Sequence, residues 1–142
     1  MNKKYDNSKS KYVLLKGGSD IDNQEYYIND IIKFFLQFRT DIKLFHWQTN
    51  LYAYHKISDD LLSNIDSLSD KLIEALLGRF NTRPNIFESI NIRNMTIELF
   101  NKELNIATQY LTNMNINFTE ILNIRDEVLG EIDKAKYLLS FK

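Results

Sequence analysis

The residues with the clearest chemical potential lie between His46 and Glu74. This stretch contains both histidines of the chain, its single tryptophan (Trp47) and several carboxylates. If residues 55–77 form an α-helix, a stripe about 100° wide carries five ligand-type side chains: His55, Asp59, Asp66, Asp70 and Glu74. Imidazole and carboxylate groups are suitable ligands for Fe(II), Zn(II) and Mn(II). The stripe therefore indicates a metal site, although an acidic stripe is also typical of a solvated helix surface.

The length of such a helix constrains the site. At a rise of 1.5 Å per residue, Asp59 and Asp70 are about 16 Å apart, and His55 and Glu74 are about 28 Å apart. Metal–ligand bonds are about 2 Å long, so one ion cannot bind both ends of one helix. An antiparallel pair of chains about a two-fold axis would instead place His46, His55 and Asp59 of one subunit beside Asp70 and Glu74 of the other. The pattern thus predicts a homodimer with two equivalent interfacial sites.

Length and composition predict a single helical domain. The chain has 142 residues, and its 44% apolar content is sufficient for a hydrophobic core. Its net charge of −1 gives no overall reason to expect nucleic acid as a partner. The absence of cysteine excludes disulfides, thiolate metal sites and cysteine nucleophiles. Because neither a signal peptide nor a membrane span is recognisable, we expect a cytoplasmic protein that does not bind membranes.

The first 19 residues differ from the rest of the chain. Residues 1–19 contain five lysines and one aspartate and end in a glycine-containing stretch. This composition predicts a flexible basic N-terminal arm, followed by the helical domain at residues 20–142. A disordered terminus with no partner is one interpretation. The other is weak, non-specific and salt-sensitive binding of DNA phosphates by the lysines.

Apolar residues recur at three- and four-residue steps in four segments. The first three segments contain Ile28 to Phe45, Leu61 to Leu76 and Ile97 to Leu111, and the fourth contains Phe118 to Leu139. This periodicity predicts four amphipathic helices and therefore an all-α, four-helix bundle. It includes no alternation typical of strands.

Polar residues and glycine predict where these helices begin and end. We expect Asp22 or Asn23 to cap the first helix, Gly78 to end the second, and Asn117 with Glu120 to cap the fourth. The loop between the first two helices is predicted to run through residues 51–54. The longer connection between the second and third is predicted at residues 79–92, with Ile86, Phe87 and Ile90 packed beneath it.

The spacing of the candidate ligands resembles the ferroxidase segment of Dps-type ferritins. In that family a His-Trp pair ends the first helix, as His46 and Trp47 do here. A second histidine and an aspartate one turn later open the second helix, like His55 and Asp59, and an Asp-x-x-x-Glu pair follows, like Asp70 and Glu74. The shared motif covers about 30 residues. The gap between the two histidines is shorter here, and the central connection is more compact.

The resemblance implies a ferritin-like bundle whose subunits share di-iron sites. It implies that His46, His55, Asp59, Asp70 and Glu74 bind iron, which is oxidised by H2O2 or O2 and stored as mineral inside a hollow homo-oligomer, a dodecamer in Dps proteins. Zinc and manganese are alternative metals. Asp66 lies outside the family motif and is interpreted as a solvated or cavity-facing charge.

Two other functions are compatible with the sequence. A Dps-like shell could coat DNA through residues 1–19, with iron chemistry secondary. A ferritin-like bundle could also have lost catalysis and retained only a structural role, which the shortened gap between the histidines would favour.

Overall fold

The computed structural model describes residues 21–142, with side chains from Gln24 onward. These residues form four helices and no β-strand: α1 (Ile21–Gln48), α2 (Tyr52–Phe80), α3 (Ile97–Thr112) and α4 (Thr119–Leu139). The predicted all-α four-helix bundle is confirmed. The basic arm predicted for residues 1–19 lies outside the described residues. None of the four helices combines the length and the apolar character that a membrane span requires.

Ring contacts define the direction of α3 relative to α1. Phe45, near the end of α1, stacks on Phe100, near the start of α3, with 4.1 Å between ring centroids. Phe34, further back in α1, stacks on Tyr110, near the end of α3, at 3.9 Å. The two helices are therefore antiparallel.

The contacts between α2 and α4 give the remaining directions. Phe80 at the end of α2 packs edge-to-face on Phe118, which precedes α4, and the Asn64 amide donates a 2.8 Å hydrogen bond to Glu131 further along α4. These helices are also antiparallel. α1 and α2 are antiparallel too, because Phe45 contacts Tyr54 and the earlier Arg39 pairs with the later Asp66. α2 and α3 therefore run in one direction, and α1 and α4 in the other.

The connection between α2 and α3 must cross the length of the bundle, because these helices run in the same direction. Residues 81–96, the crossover segment, do so along α1 without helix or strand structure of their own, except a turn at Asn81. The segment runs in the same direction as α1, because residue numbers increase together in the two partners of four hydrogen-bonded pairs. These pairs are Asn29–Asn85, Lys33–Glu88, Gln37–Asn91 and Gln48–Met95. The first three α1 positions are four residues apart and therefore share one helix face.

Most of the predicted apolar positions form one core. In α1 all seven apolar positions of the predicted pattern are buried, as are most of those in the other helices; the seven are Ile28, Ile31, Ile32, Phe35, Phe38, Ile42 and Phe45. Leu68, Ile97 and Phe118 are only partly buried at the edge of this core. Helical periodicity was thus sufficient to identify the buried faces.

Several predicted helix ends are wrong. α2 begins at Tyr52, so residues 52–54 are helical and not part of a loop, and Asp22 and Asn23 lie within α1. Gly78 is inside α2, whose end is formed by Asn81 in the left-handed conformation (φ 48°), with its N–H donating to the Gly78 carbonyl. Asparagine tolerates this conformation, which makes it an alternative to glycine at helix ends.

The start of α4 and the crossover segment also differ from expectation. The residue that precedes α4 is Phe118, with no side-chain cap from Asn117. Its ring packs on Phe80 and lies 4.2 Å from the Arg79 guanidinium, so hydrophobic and cation–π contacts hold this end. Phe87 does not pack beneath the crossover segment and is 91% exposed. Ile90 is exposed as well, so side-chain bonds to α1 hold most of that segment, and only Met95 near its end is buried in the core.

Phe100 and Phe87 form a matched pair for testing the core. Phe100→Ala should lower the free energy of unfolding by about 3–5 kcal/mol, because it removes a fully buried ring and its stack on Phe45. Phe87→Ala, the control, should change it by no more than about 0.5 kcal/mol. Urea unfolding followed by circular dichroism would measure both, and equal losses would contradict the described packing.

Asp41 is buried where α1 meets α3 and the crossover segment. Gln37 donates a 3.0 Å hydrogen bond to its carboxylate. Arg93 lies 3.2 Å from Asp41 and 3.1 Å from Glu103 of α3, and so joins three parts of the chain. Burial raises the pKa of Asp41 above its ordinary value of 3.8, although the bond from Gln37 and the charge of Arg93 act in the opposite direction.

The raised pKa of Asp41 predicts a defined pH dependence. Between the ordinary and the raised pKa, folded Asp41 retains a proton that the unfolded chain has released, so the free energy of unfolding falls as pH rises through this interval. The Asp41→Asn variant has no carboxyl at this position, so its free energy of unfolding does not fall for this reason. Its stability relative to the wild type should therefore increase as pH rises from about 3.5 to about 7. Parallel urea titrations at each pH would measure this difference, and a constant or decreasing difference would contradict it.

Candidate metal centre

The corner between α1 and α2 brings the two histidines together. His46 is in the last turn of α1 and His55 in the first turn of α2, and residues 49–51 connect the helices. Their ring centroids are 3.9 Å apart, with an angle of 23° between the planes. His46 is buried and His55 is half-buried. The shorter connection between these histidines is therefore compatible with their close approach.

Each histidine is oriented by the backbone of the other. His46 Nδ1 lies 3.0 Å from the carbonyl oxygen of His55, and His55 Nδ1 lies 3.0 Å from that of His46. Because a carbonyl oxygen only accepts hydrogen bonds, both Nδ1 atoms must carry the proton. The carbonyl of His46 is also one of the last in α1, where helical partners are missing. In the neutral imidazoles, Nε2 is then the atom with a lone pair for a metal ion.

Ser58 also contacts the histidine pair, and the sequence did not predict this residue as part of the site. Its side chain is fully buried, and its hydroxyl lies 3.3 Å from His46 Nδ1. The single proton of the hydroxyl is shared between the Tyr54 and His55 carbonyls, so the oxygen is available to accept from the imidazole. The signal in the sequence was a serine on the buried face of α2, three residues before Leu61 and three after His55.

The stacking of the imidazoles favours two metal ions over one. A metal ion binds an imidazole nitrogen in the plane of the ring, at about 2.1 Å. The planes of His46 and His55, at 23° and with centroids 3.9 Å apart, converge only well beyond that distance. One ion cannot lie in both planes, but two neighbouring ions can. Such an arrangement suits a two-metal site, where the ions are about 3.5–4 Å apart.

The other predicted ligands are exposed on α2. Asp59 lies one turn after His55, whereas Asp70 and Glu74 lie towards the opposite end of the helix. None of the three carboxylates forms an ion pair or a hydrogen bond with another side chain in residues 24–142. Asp66 differs from them, because it forms an ion pair with Arg39 of α1. Asp66 is therefore a half-exposed charge that also has a specific partner in its own chain.

A single chain does not assemble the predicted ligands. Within the described residues, no three histidine, aspartate or glutamate side chains lie close enough to hold one metal ion. The histidine end of α2, which we define as His46, His55 and Asp59, is separated from the carboxylate end, Asp70 and Glu74. The structure therefore brings the two histidines together and leaves the two ends of the ligand set apart.

The surroundings of the histidine end are partly apolar. Trp47 follows His46 and is 67% exposed, and the Lys43 ammonium lies 5.0 Å from the centre of its ring. Leu51 and Tyr52, at the same corner, are exposed as well. Apolar surface of this kind, next to polar groups with no partner, is suited to contact with another molecule.

Fold and site together define a helical bundle with candidate metal ligands divided between the two ends of one helix. Residues 46–139 match DUF5856, a family of unknown function, and the chain belongs to this family. The matched region includes all five predicted ligands. No curated protein and no solved structure was found to match the chain.

The tautomers of the two histidines can be measured directly. In the metal-free protein, both neutral imidazoles should carry the proton on Nδ1, because each Nδ1 faces a carbonyl. Long-range ¹H–¹⁵N NMR of the imidazoles distinguishes the two tautomers. Ser58→Ala is the control: the Nδ1–H tautomer of His46 should persist, since the His55 carbonyl remains. Protonation on Nε2 in the wild type would contradict the described hydrogen bonds.

Proposed function

We propose that this protein is a Dps-like ferritin, which oxidises Fe(II) with H2O2 or O2 at a two-ion site shared by two subunits. The observation that carries the proposal is the pair of stacked imidazoles with their Nε2 atoms left for metal, at one end of a helix whose other end carries unpaired carboxylates. Storage of the ferric product inside a cytoplasmic homo-oligomer, a dodecamer in Dps proteins, belongs to the same proposal.

The positions of the ligands along α2 support a shared site. His55 and Glu74 are centred on position 64.5 of the helix, and so are Asp59 and Asp70. A two-fold axis through that point would place His55 opposite Glu74 of the partner subunit and Asp59 opposite the partner's Asp70. Both pairs are thus matched by one symmetry operation, which creates two identical sites. This match follows from the equal spacing of the two pairs, since His55 and Asp59, like Asp70 and Glu74, are one helical turn apart.

The chemistry of the donor set supports iron as the substrate. His46 and His55 would each bind one ion through Nε2, while Asp59 and the carboxylate end of the other subunit would neutralise and bridge the pair. Carboxylate oxygens favour Fe(III) over Fe(II), because they are hard, negatively charged donors. Two Fe(II) ions supply the two electrons that reduce one H2O2 to two waters, with two protons taken up. Zinc and manganese suit the same ligands.

The connectivity of the bundle is also consistent with the proposal. Ferritin-like folds are four-helix bundles with one long crossover connection. Here the crossover segment joins α2 to α3 along the length of α1. The first two helices are thereby antiparallel neighbours, and they carry all five proposed ligands.

Complementation between two defective subunits tests the shared site. His46→Ala/His55→Ala removes the imidazoles, and Asp70→Ala/Glu74→Ala removes the carboxylate end. Each variant alone should lose most Fe(II) oxidation, because the ions keep only part of their ligands. Co-assembled variants should recover up to about a quarter of wild-type sites, since about half of randomly formed dimers are mixed and each has one intact site. Anaerobic loading with Fe(II), followed by H2O2 or O2, would measure the recovery.

The control for this experiment is Glu127→Ala/Asp133→Ala, which removes two exposed carboxylates of α4. It should leave oxidation unchanged. All variants should retain wild-type circular dichroism. If mixed dimers are verified and oxidation does not recover, the site is not shared in this way. A wild-type protein that binds no iron would instead favour the purely structural bundle.

A further inference from the structure

The exposed surface of α2 carries an excess of negative charge where the second subunit is proposed to lie, with four carboxylates, Asp59, Asp60, Asp70 and Glu74, against two lysines, Lys56 and Lys71. Asp59, Asp70 and Glu74 are exposed and have no cationic partner within residues 24–142. In the two-fold arrangement, Asp59 of one subunit faces both residues of the carboxylate end of the other. Each site therefore gathers three carboxylates, and the dimer contains two such sites. Like charges at this separation repel one another unless a cation lies between them.

The same surface offers little apolar area to offset that repulsion. Between Ala53 and Gly78, the exposed positions of α2 carry no large apolar side chain. Serines occupy positions 63 and 67, on either side of the centre of the helix, and both are exposed. The exposed apolar residues nearby lie at the corner beside the histidine end, where Trp47, Leu51 and Tyr52 are exposed, and not along the middle of α2. Stable homodimer interfaces are on average more apolar than this surface.

We propose that association of two copies of this chain depends on metal, so that metal ions act as the link between subunits that otherwise repel one another. The inference rests on the shared site of the proposed function and adds its regulation. Without metal, the carboxylates of Asp59 and of the partner's carboxylate end keep the chains apart. With metal, the same carboxylates become ligands of ions held by His46 and His55. The positive charge of each ion then attracts the carboxylates of both chains.

Thermodynamic linkage relates the affinity for metal to the strength of association between the chains. An ion that gains ligands from a second chain binds the dimer more tightly than the monomer, and it strengthens association by the same factor. If each site contributes about tenfold, two sites multiply to about a hundredfold in the dimer dissociation constant. This change is large enough for direct measurement by sedimentation.

The experiment compares the full-length protein in EDTA and in Zn(II), which binds imidazole and carboxylate but is not oxidised. Sedimentation equilibrium over a range of protein concentrations should show that association begins at about a hundredfold lower protein concentration in Zn(II), whether the product is a dimer or a larger oligomer built from dimers. In EDTA, raising the salt concentration from about 0.05 to about 0.3 M should tighten the weak dimer, because salt screens the repulsion.

A pair of charge-matched variants separates this repulsion from net charge. Asp70→Asn/Glu74→Gln should associate more tightly than the wild type in EDTA, because the opposing charge is gone, and should gain nothing from Zn(II). Glu127→Gln/Asp133→Asn removes the same number of charges from α4 and should behave like the wild type in both conditions. Both pairs are exposed, so circular dichroism should show unchanged folding.

The outcomes distinguish this inference from the proposed function. If the protein oxidises Fe(II) and its dimer is equally strong in EDTA and in Zn(II), the inference is wrong and the proposed function stands. If Zn(II) links the chains but Fe(II) is not oxidised, the inference stands and the proposed function is wrong. If Asp70→Asn/Glu74→Gln does not associate more tightly than the wild type in EDTA, carboxylate repulsion is not what separates the chains.

Discussion

α2 is a continuous helix of 29 residues, and its ends are therefore about 40 Å apart. This length determines what its polar face can do within one chain. The helix is held by α1 on one side and by α4 on the other, with a row of buried residues from Ser58 to Leu76 facing the core. It cannot bend to bring its carboxylates to the histidines without losing that core. Any function that needs both ends of the face therefore needs a second molecule.

The corner at the histidine end depends on hydrogen bonding as much as on the short link between α1 and α2. A helix leaves its last carbonyls and first N–H groups without partners. Here the His46 carbonyl accepts a hydrogen bond from Nδ1 of His55, and the His55 carbonyl, in the first turn of α2, accepts one from Nδ1 of His46. The same two bonds close the corner and select the tautomer. The pair therefore has a structural role at this corner, and under the proposed function it would bind metal as well, so removing either ring should affect both.

The sequence predicted the features that depend on periodicity and missed those that depend on particular contacts. Apolar spacing identified the four helices and nearly all their buried positions, because helix geometry relates spacing to face. The end of α2 was wrong because Asn81 adopts the conformation for which glycine is the usual residue, and the start of α4 was wrong because Phe118 is held by packing. The stacking of His46 on His55 and the role of Ser58 required the three-dimensional corner. No periodic pattern contains that information.

The distribution of charge along α2 supports the division of the site between two chains. About a two-fold axis at position 64.5, Asp66 lies near the centre of the contact, opposite Ser63 of the partner subunit, whereas Asp59, Asp70 and Glu74 lie towards the two sites. The central carboxylate already has a cation from its own chain, Arg39. The outer carboxylates have none. A charge that a contact would bury far from any metal must be neutralised by the protein, since an unpaired buried charge is strongly destabilising. Charges that would become metal ligands must stay unpaired, and this is the difference between Asp66 and the other three.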